Sequence, residues 1–250
     1  MKVTSGTREW ADHNVNCFYG CANDCRYCYA KMMAKRYGRT DEASWKKMRI
    51  NSQAVERHYP RYKGRVMFPT SHDIIDLPEV TEPCFKVLRK LVEAGNNVLV
   101  TTKPDFNVTQ RLVDEFSDYK DLIQFRFTIS SNNDDLLSFW EPNAPPYNVR
   151  LESLRLAYEK GFKTSVSIEP FLDHDPLPLI HELMPYVTES VWIGPMNYIP
   201  RNNIPLKYRD RYNSIRENYT KANIRSIMER LRDYPKIRFK DSMIRLSKLH

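Results

Sequence analysis

Three cysteines near the amino terminus are spaced as ligands of a metal cluster. Cys21, Cys25 and Cys28 form the pattern C-x3-C-x2-C, and four of the five cysteines of the chain lie between positions 17 and 28. Three thiolates this close in sequence can bind one face of a four-iron, four-sulfur (4Fe-4S) cluster and leave its fourth iron open. The spacing therefore predicts a cluster whose metal ligands are these three cysteines.

Cys17 leaves other interpretations open. As a fourth ligand it would complete a zinc site or a fully ligated electron-transfer cluster, although zinc sites usually use two separated C-x2-C pairs and the sequence has one. The alternative function is then a non-catalytic iron–sulfur or zinc-binding module associated with nucleic acid. We expect instead that Cys17 is a small buried thiol. Cys84 stands alone in the sequence, and His72 and His174 are expected to be surface or structural residues.

The middle of the chain alternates strand-like and helix-like segments. Short β-branched and aromatic runs predict six strands, at residues 15–17, 65–69, 97–101, 123–130, 162–168 and 191–194. Helical patterns lie between them, including residues 79–94 and a helix capped by Asn107. The repeated β–α order favours a parallel sheet with helices outside it. Six strands are too few for a closed eight-stranded barrel, so we expect an α/β fold, a partial (β/α)6 TIM-like barrel.

The carboxyl-terminal 50 residues depart from this pattern. Residues 201–213 are polar and basic, residues 214–233 are predicted to be helical, and residues 236–240 could form a last strand. Nothing in the sequence resembles a linker. We therefore expect residues 1–200 to form the barrel, and residues 201–250 to form a basic helical extension packed on the same domain.

The cysteine loop resembles a known superfamily. A C-x3-C-x2-C pattern just after a first strand, with the aromatic Tyr27 before the last cysteine, is similar to the signature of the radical S-adenosylmethionine (radical SAM) superfamily. The run from Gly20 to Ala30 resembles the branch that contains spore photoproduct lyase and DNA-repair photolyase-like proteins. The segment from Glu141 through Arg150 to Gly161 also resembles that branch.

This resemblance implies a partial barrel with a 4Fe-4S cluster in the loop after the first strand, and S-adenosylmethionine as second cofactor. The methionine amine and carboxylate would bind the open iron. Reductive cleavage would then give methionine and a 5′-deoxyadenosyl radical, which abstracts a hydrogen from the substrate in a lyase- or oxidoreductase-type reaction. Spore photoproduct lyase returns hydrogen through a cysteine in its carboxyl-terminal half. No cysteine follows Cys84 here, so we do not expect thymine-dimer repair by that route.

Polar residues after the predicted strands are the expected contacts of S-adenosylmethionine, because loops at this end of a barrel build the site. The segment 70–73 lacks the glycines usual in the superfamily, so either Ser71 or Asp73 would hold the methionine amine. A simple turn with a helix cap is the competing interpretation. Lys103 could meet the carboxylate or be a surface lysine, and Ser130 matches the position that contacts the ribose.

Four further residues complete the expected cofactor site with Tyr27. Arg150 suits bidentate binding of the methionine carboxylate, and Glu141 could receive the amine or a ribose hydroxyl. Alternatively, these two residues pair with each other and brace the loop. Glu169 ends an apolar strand and is expected to point into the barrel mouth, where a carboxylate needs a partner. Asn197 follows the sixth strand and could contact the adenine.

The net charge of +8 is unevenly distributed. Residues 26–65 hold 12 Lys/Arg against 3 Asp/Glu, and residues 201–250 hold 14 against 5. Such segments attract polyanions or acidic proteins, although a solvated surface is the simplest explanation. We expect an acidic electron donor such as flavodoxin or ferredoxin at residues 31–63. Nucleic acid is a second candidate partner, which basic residues of the tail would bind: Lys207, Arg209, Arg211 and Arg216.

The sequence predicts no contact with a membrane. No run approaches the roughly 18–20 apolar residues that a membrane span needs. The first residues, Met1 to Thr4, lack the apolar stretch of a signal peptide. We therefore expect a cytoplasmic protein, in which thiols stay reduced.

Overall fold

The computed structural model describes residues 6–200 and 202–248, and its centre is a sheet of seven parallel strands. The described residues contain nine strands in all, of which seven belong to this sheet: β1 (His13–Asn14), β2 (Phe18–Tyr19), β3 (Arg49–Ile50), β4 (Arg65–Phe68), β5 (Asn97–Thr102), β6 (Ile123–Thr128), β7 (Lys163–Ile168), β8 (Val191–Ile193) and β9 (Ile237–Phe239). The order in the central sheet is β1-β4-β5-β6-β7-β8-β9, while β2 and β3 form a separate antiparallel pair. The sheet curls into a half-barrel, which confirms the predicted partial barrel.

Helices connect successive parallel strands and cover the outer face of the sheet. They are α1 (Tyr29–Arg36), α2 (Ser52–Glu56), α3 (Pro78–Glu93), α4 (Phe106–Glu115), α5 (Asp134–Trp140), α6 (Tyr147–Glu159), α7 (Leu177–Leu183), α8 (Arg209–Asn218), α9 (Lys221–Arg230) and α10 (Asp241–Lys248). Within the described ranges, none of them has the length and apolar character that crossing a membrane requires. The expectation for Met1 to Thr4 lies outside the described residues.

Three predicted boundaries differ from the structure. The first strand lies at His13–Asn14 rather than 15–17, because these two residues pair with Val66 and Met67 of β4, while the side chain of Asn16 binds the loop after β4. Asp105, not Asn107, caps α4, since its carboxylate accepts from two backbone N–H groups of the first turn. The helix predicted at 214–233 is two helices, and Thr220 caps the second of them.

The tail supplies the seventh strand of the sheet. β9 pairs with β8 in parallel register, and the N–H of Lys240 donates to the carbonyl of Ile193 at 2.9 Å. The barrel therefore has one strand more than the six counted in the sequence, at residues 236–240, where the sequence indicated that a last strand could form. The division into a barrel at 1–200 and an extension at 201–250 stays a prediction.

The two faces of the sheet differ in chemistry. Residues such as Val66, Val98 and Phe125 face the helices and belong to the main apolar core. On the inner face, the side chains of Gln124 and Arg126 both donate to the hydroxyl of Ser165, each at 3.1 Å. The concave side of this half-barrel therefore carries polar side chains on β6 and β7 beside a small apolar cluster that includes Met67 and Leu99. The carboxyl ends of the strands bring together the loops that carry the predicted site residues.

Candidate functional site

The cysteine loop has a tightly constrained backbone between β2 and α1. Gly20 has φ +90°, and a Cβ there would lie 2.3 Å from the carbonyl oxygen of Trp45. The next N–H, that of Cys21, donates to the same carbonyl at 3.1 Å. Cys28 caps α1, because its sulfur accepts from the N–H of Lys31 at 3.4 Å. The segment around Trp45 thus fixes the entry to the loop, and a helix amino terminus faces its last thiol.

The three thiols of the loop converge in a buried place. Cys21 and Cys25 are each 5% exposed, and Cys28 is partly exposed. Burial raises the pKa of all three, that of Cys25 to about 12, and Cys25 and Cys28 further raise the pKa of Cys21. The ammonium group of Lys103 opposes this rise for Cys25 and Cys28. Three converging sulfurs beside a cation fit an iron–sulfur cluster, whose ligands are thiolates.

Asp73 ties this loop to the adjoining strand ends. Its carboxylate accepts from the side chain of Asn23 at 2.8 Å and from the N–H of Lys103 at 2.7 Å, and the thiol of Cys21 lies 3.6 Å from it. Burial alone would raise the pKa of Asp73, but the Lys103 ammonium, at 3.6 Å, and these hydrogen bonds hold it below its ordinary value. Asp73 is therefore an anion that contacts the first cysteine.

Glu141 is the centre of a second buried network. Its carboxylate forms an ion pair with Arg150 at 2.6 Å and accepts from the hydroxyls of Ser130, at 2.9 Å, and Tyr27. The side chains of Glu141 and Arg150 are both 0% exposed. Although burial opposes ionisation, Arg150 and Lys103 hold the pKa of Glu141 below its ordinary value. The pairing that the sequence left as an alternative is present, and contact of either residue with a cofactor stays a prediction.

The end of α5 also holds the cysteine loop. The N–H of Arg26 donates to the carbonyl of Trp140 at 2.9 Å, and its Nε donates to that of Phe139 at 2.6 Å. The guanidinium of Arg26 lies 4.8 Å from the ring of Phe139 and 5.0 Å from that of Tyr208 in the tail. The side chain of Asn143 donates to the carbonyl of Ala22 at 2.8 Å. These contacts join residues far apart in sequence, which is why the sequence did not identify them.

Glu169 and Asn197 form a separate polar group at the ends of β7 and β8. Asn197 lies close enough to Glu169 to lower its pKa, and the carboxylate of Glu169 lies 3.8 Å from the ammonium of Lys240. Burial raises the pKa of Glu169 more than Lys240 lowers it. Lys240 also pairs with Glu9 at 2.8 Å. The sequence predicted the place of Glu169 but not its partner, which comes from the carboxyl-terminal tail.

The remaining predicted residues are placed as follows. The side chain of Lys103 is 11% exposed, so the interpretation as a surface lysine is wrong. The N–H of Ser71 donates to Asn16 at 2.9 Å, and its part in cofactor binding stays a prediction. His72 is buried, which excludes the surface alternative, whereas His174 is exposed. Cys17 is a fully buried thiol, as expected.

A family model and several known proteins match this chain. Residues 15–175 match the model of the Radical SAM superfamily. An uncharacterized protein of Acidianus two-tailed virus is 33% identical over 172 residues, which are 64% of this chain and 55% of that protein. An uncharacterized protein of Methanocaldococcus jannaschii is 26% identical over 165 residues, 65% of this chain and 61% of the relative. The chain thus spans 55% and 61% of the length of these two relatives.

Two solved structures share the fold. A mutant of spore photoproduct lyase with bound AdoMet and dinucleoside spore photoproduct superposes with a TM-score of 0.58 and 16% identity, covering 95% of this chain and 78% of that chain. SuiB of Streptococcus suis bound to S-adenosylmethionine gives a TM-score of 0.50 and 12% identity, over 70% of this chain and 38% of that one. At these identities the likeness concerns the fold.

Proposed function

This chain belongs to the radical SAM superfamily, and we propose that it acts as a radical SAM enzyme with the cluster on Cys21, Cys25 and Cys28. When bound, the 4Fe-4S cluster supplies the electron that cleaves S-adenosylmethionine to methionine and a 5′-deoxyadenosyl radical, which takes a hydrogen from the substrate. The observation that carries the proposal is the convergence of three thiols, two of them buried and one partly buried, beside Lys103 at the carboxyl ends of the strands.

The surrounding residues divide the remaining work. Lys103 and Asp73 lie next to the thiols, so they are suited to the methionine carboxylate and amine, with the hydroxyl of Ser71 as the alternative for the amine. Glu141 holds Tyr27 and Ser130 and is itself neutralised by Arg150, so this network fixes the cysteine loop and Ser130, the residue expected to contact the ribose. Glu169 and Asn197 are suited to hydroxyl and amine groups of the nucleoside.

Nucleic acid is the substrate class that specific features favour. Tyr29, which directly follows Cys28, stacks on Tyr198 with ring centroids 6.2 Å apart, and both rings are exposed. Such a pair can stack on bases. Beside the tail lies a cavity of about 740 Å³ lined by Asn202, Asn203, Ile204, Arg209, Asn213 and Arg216. The dinucleoside bound to spore photoproduct lyase belongs to the same chemical class.

The non-catalytic module remains the competing function, and Cys17 distinguishes the two. A fully ligated cluster or zinc site in the loop needs Cys17 as fourth ligand. The thiol of Cys17 instead lies 3.4 Å from that of Cys84 and 3.8 Å from His72. This arrangement supports a three-cysteine cluster with one open iron.

Production of 5′-deoxyadenosine tests the proposal. The protein is purified without oxygen, reconstituted with iron and sulfide, reduced with dithionite and given S-adenosylmethionine together with a short oligonucleotide. We expect about four irons per chain and 5′-deoxyadenosine, both lost in Cys25→Ala, while Cys17→Ala keeps the four irons. A cluster that disappears in Cys17→Ala would contradict the proposal and favour the binding module.

A further inference from the structure

A second group of metal-ligating side chains lies in the core, outside the cysteine loop. Cys17, His72 and Cys84 place their sulfur and nitrogen atoms within 4.8 Å of one another. Cys17 and Cys84 are 0% exposed and His72 is 5% exposed. The three residues come from the loop after β1, the loop after β4 and helix α3. The function proposed above uses none of them.

The distances match those around a single zinc ion. With Zn–S near 2.3 Å and Zn–N near 2.05 Å, tetrahedral angles place two sulfurs about 3.8 Å apart and sulfur and nitrogen about 3.6 Å apart. The two sulfurs here are 3.4 Å apart, and the sulfur of Cys17 is 3.8 Å from Nε2 of His72. Both distances lie within 0.4 Å of these values, and all three donor atoms lie within 4.8 Å of one another, so small side-chain movements bring them around one ion.

The histidine is held as metal-binding histidines usually are. Nδ1 of His72 lies 3.1 Å from the carbonyl oxygen of Asp73, and donation to it leaves Nε2 as an acceptor, 3.8 Å from the sulfur of Cys17. The rings of Phe18 and Phe68 meet the imidazole edge-on, at 5.4 and 6.4 Å, and fix its plane. Nε2 also accepts from the N–H of Cys17 at 3.2 Å, and a coordinate bond would replace this hydrogen bond.

Because the three ligands are buried, a bound ion should cancel their charge. Two thiolates and a neutral imidazole carry a charge of −2, which a divalent cation cancels, whereas a monovalent copper ion would leave a net negative charge in the apolar core. Soft thiolates and an imidazole are donors that Zn²⁺ prefers. We propose that Cys17, His72 and Cys84 bind one Zn²⁺ ion at a site separate from the cluster.

This site would connect the core to the cysteine loop. On binding, each thiol releases one proton to solvent and forms one bond to the ion. The carbonyl of Asp73 holds His72, while the carboxylate of Asp73 contacts Cys21. The ion therefore adds a support to this segment, while Asn23 and the N–H of Lys103 hold the carboxylate of Asp73 independently of it, so the cluster does not depend on the ion.

Metal analysis of a chain that cannot hold the cluster tests this inference. The full-length triple variant Cys21→Ala, Cys25→Ala, Cys28→Ala is prepared without oxygen, incubated with Zn²⁺ and desalted. We expect one zinc per chain, and Co²⁺ in its place should give the charge-transfer absorption of cobalt–thiolate bonds. Adding Cys84→Ala should abolish both signals, with folding checked by circular dichroism.

Three results would overturn the inference. They are less than about 0.2 zinc per chain in the triple variant, zinc that persists after Cys84→Ala, and a Cys17–Cys84 disulfide in protein kept under reductant. If Cys84→Ala does not fold, competition with a chromogenic chelator in the triple variant gives the zinc stoichiometry and affinity instead. Because the two sites share no ligand, absence of zinc leaves the proposed enzyme function intact, and absence of the cluster leaves the zinc site intact.

Discussion

Glu141 shows how a single buried charge can organise the cysteine loop. An unpaired carboxylate at zero exposure would be strongly destabilising, so its position depends on the donors around it. Arg150 neutralises it. Hydrogen bonds from Tyr27 and Ser130 join it to the cysteine loop and to the end of β6, respectively. Removing one member therefore affects the others, because the remaining charge stays buried.

Substitution of Arg150 should expose this dependence. We expect Arg150→Met to lower the free energy of unfolding by about 3–5 kcal/mol, since it leaves Glu141 buried and uncompensated. Arg155→Met on the same helix removes a pair with Glu152 at the surface and should cost less than about 1 kcal/mol. Urea unfolding monitored by circular dichroism measures both. Equal effects of the two substitutions would show that the buried pair is not special.

The same carboxylate predicts a pH dependence. The pKa of Glu141 is lower in the folded chain than its ordinary value, so its contribution to stability is fully present above the unfolded pKa, about 4.3. That contribution is lost as the pH falls through the lower folded value. The stability difference between wild type and Glu141→Gln should therefore shrink below about pH 4. A difference that stays constant between pH 7 and pH 3 in urea unfolding would contradict this assignment.

At the residue scale, local spacing identified some of the site and non-local packing determined the rest. The cysteine spacing indicated a cluster loop, and the position of Asp73 after a strand indicated a place at the sheet edge. Asn23 and Lys240 carry no local pattern, because their roles arise from contacts with Asp73, 50 positions away, and with Glu9, across the whole chain. Cys84 looked isolated for the same reason.

At the scale of elements, the cysteine loop depends on a backbone that accepts no side chain at its entry. Gly20 and Gly38 both have positive φ, of +90° and +64°. A Cβ at Gly20 would meet the Trp45 carbonyl at 2.3 Å, whereas nothing lies within 4 Å of one at Gly38. The two glycines lie on either side of α1. Gly20 is required both by its positive φ and by the lack of space for a side chain, whereas Gly38 is required by its positive φ alone.

Alanine at these two positions should have different consequences. Gly38→Ala should cost about 1–2 kcal/mol, the conformational penalty for a side chain with positive φ. Gly20→Ala should cost more, because the carbonyl that anchors Cys21 must move, and it should also reduce the iron bound after reconstitution. Thermal unfolding and iron analysis of the two variants measure this. Full iron content in Gly20→Ala would show that the loop tolerates the shift.

The sequence predicted best the strands whose outward side chains are buried under the helices. β5, β6 and β7 carry continuous or alternating apolar runs, which the periodicity detects. β1 is two residues long and its position is set by pairing with β4, and β9 is three residues long, so neither has a strong local signal. The sequence did not reveal the break between α8 and α9, because Thr220, which caps α9, is also compatible with the interior of a helix.

At the scale of the whole molecule, the two ends of the described chain meet across the inner face of the half-barrel. Lys240, from the end of β9, pairs with Glu9 and lies 4.4 Å from the ring of Trp10 and 5.7 Å from that of Trp192. Arg126 lies 4.7 Å from the same Trp10 ring. The amino-terminal segment and the tail therefore cover the polar interior together, so the tail contributes to the barrel itself.

Charge reversal in each of the two basic segments should distinguish the two proposed partners, an acidic electron donor and nucleic acid. Arg36, Lys46 and Lys47 are exposed beside the cysteine loop, and Lys207, Arg209 and Arg211 are exposed in the tail. Reversing the first three charges to Glu should slow cluster reduction by flavodoxin about tenfold or more at low salt, because electrostatic steering of an acidic donor is lost. It should leave oligonucleotide affinity nearly unchanged.

Reversing the three tail charges should have the opposite effects and serves as the matched control, since both variants change the net charge by the same amount. Oligonucleotide binding should weaken and its logarithmic salt slope should fall by about 2, as expected for three lost phosphate contacts on a single strand. Reduction by flavodoxin should continue at the wild-type rate. Stopped-flow absorbance and fluorescence anisotropy measure the two processes. If both variants impair both processes equally, net charge rather than two separate docking surfaces accounts for binding.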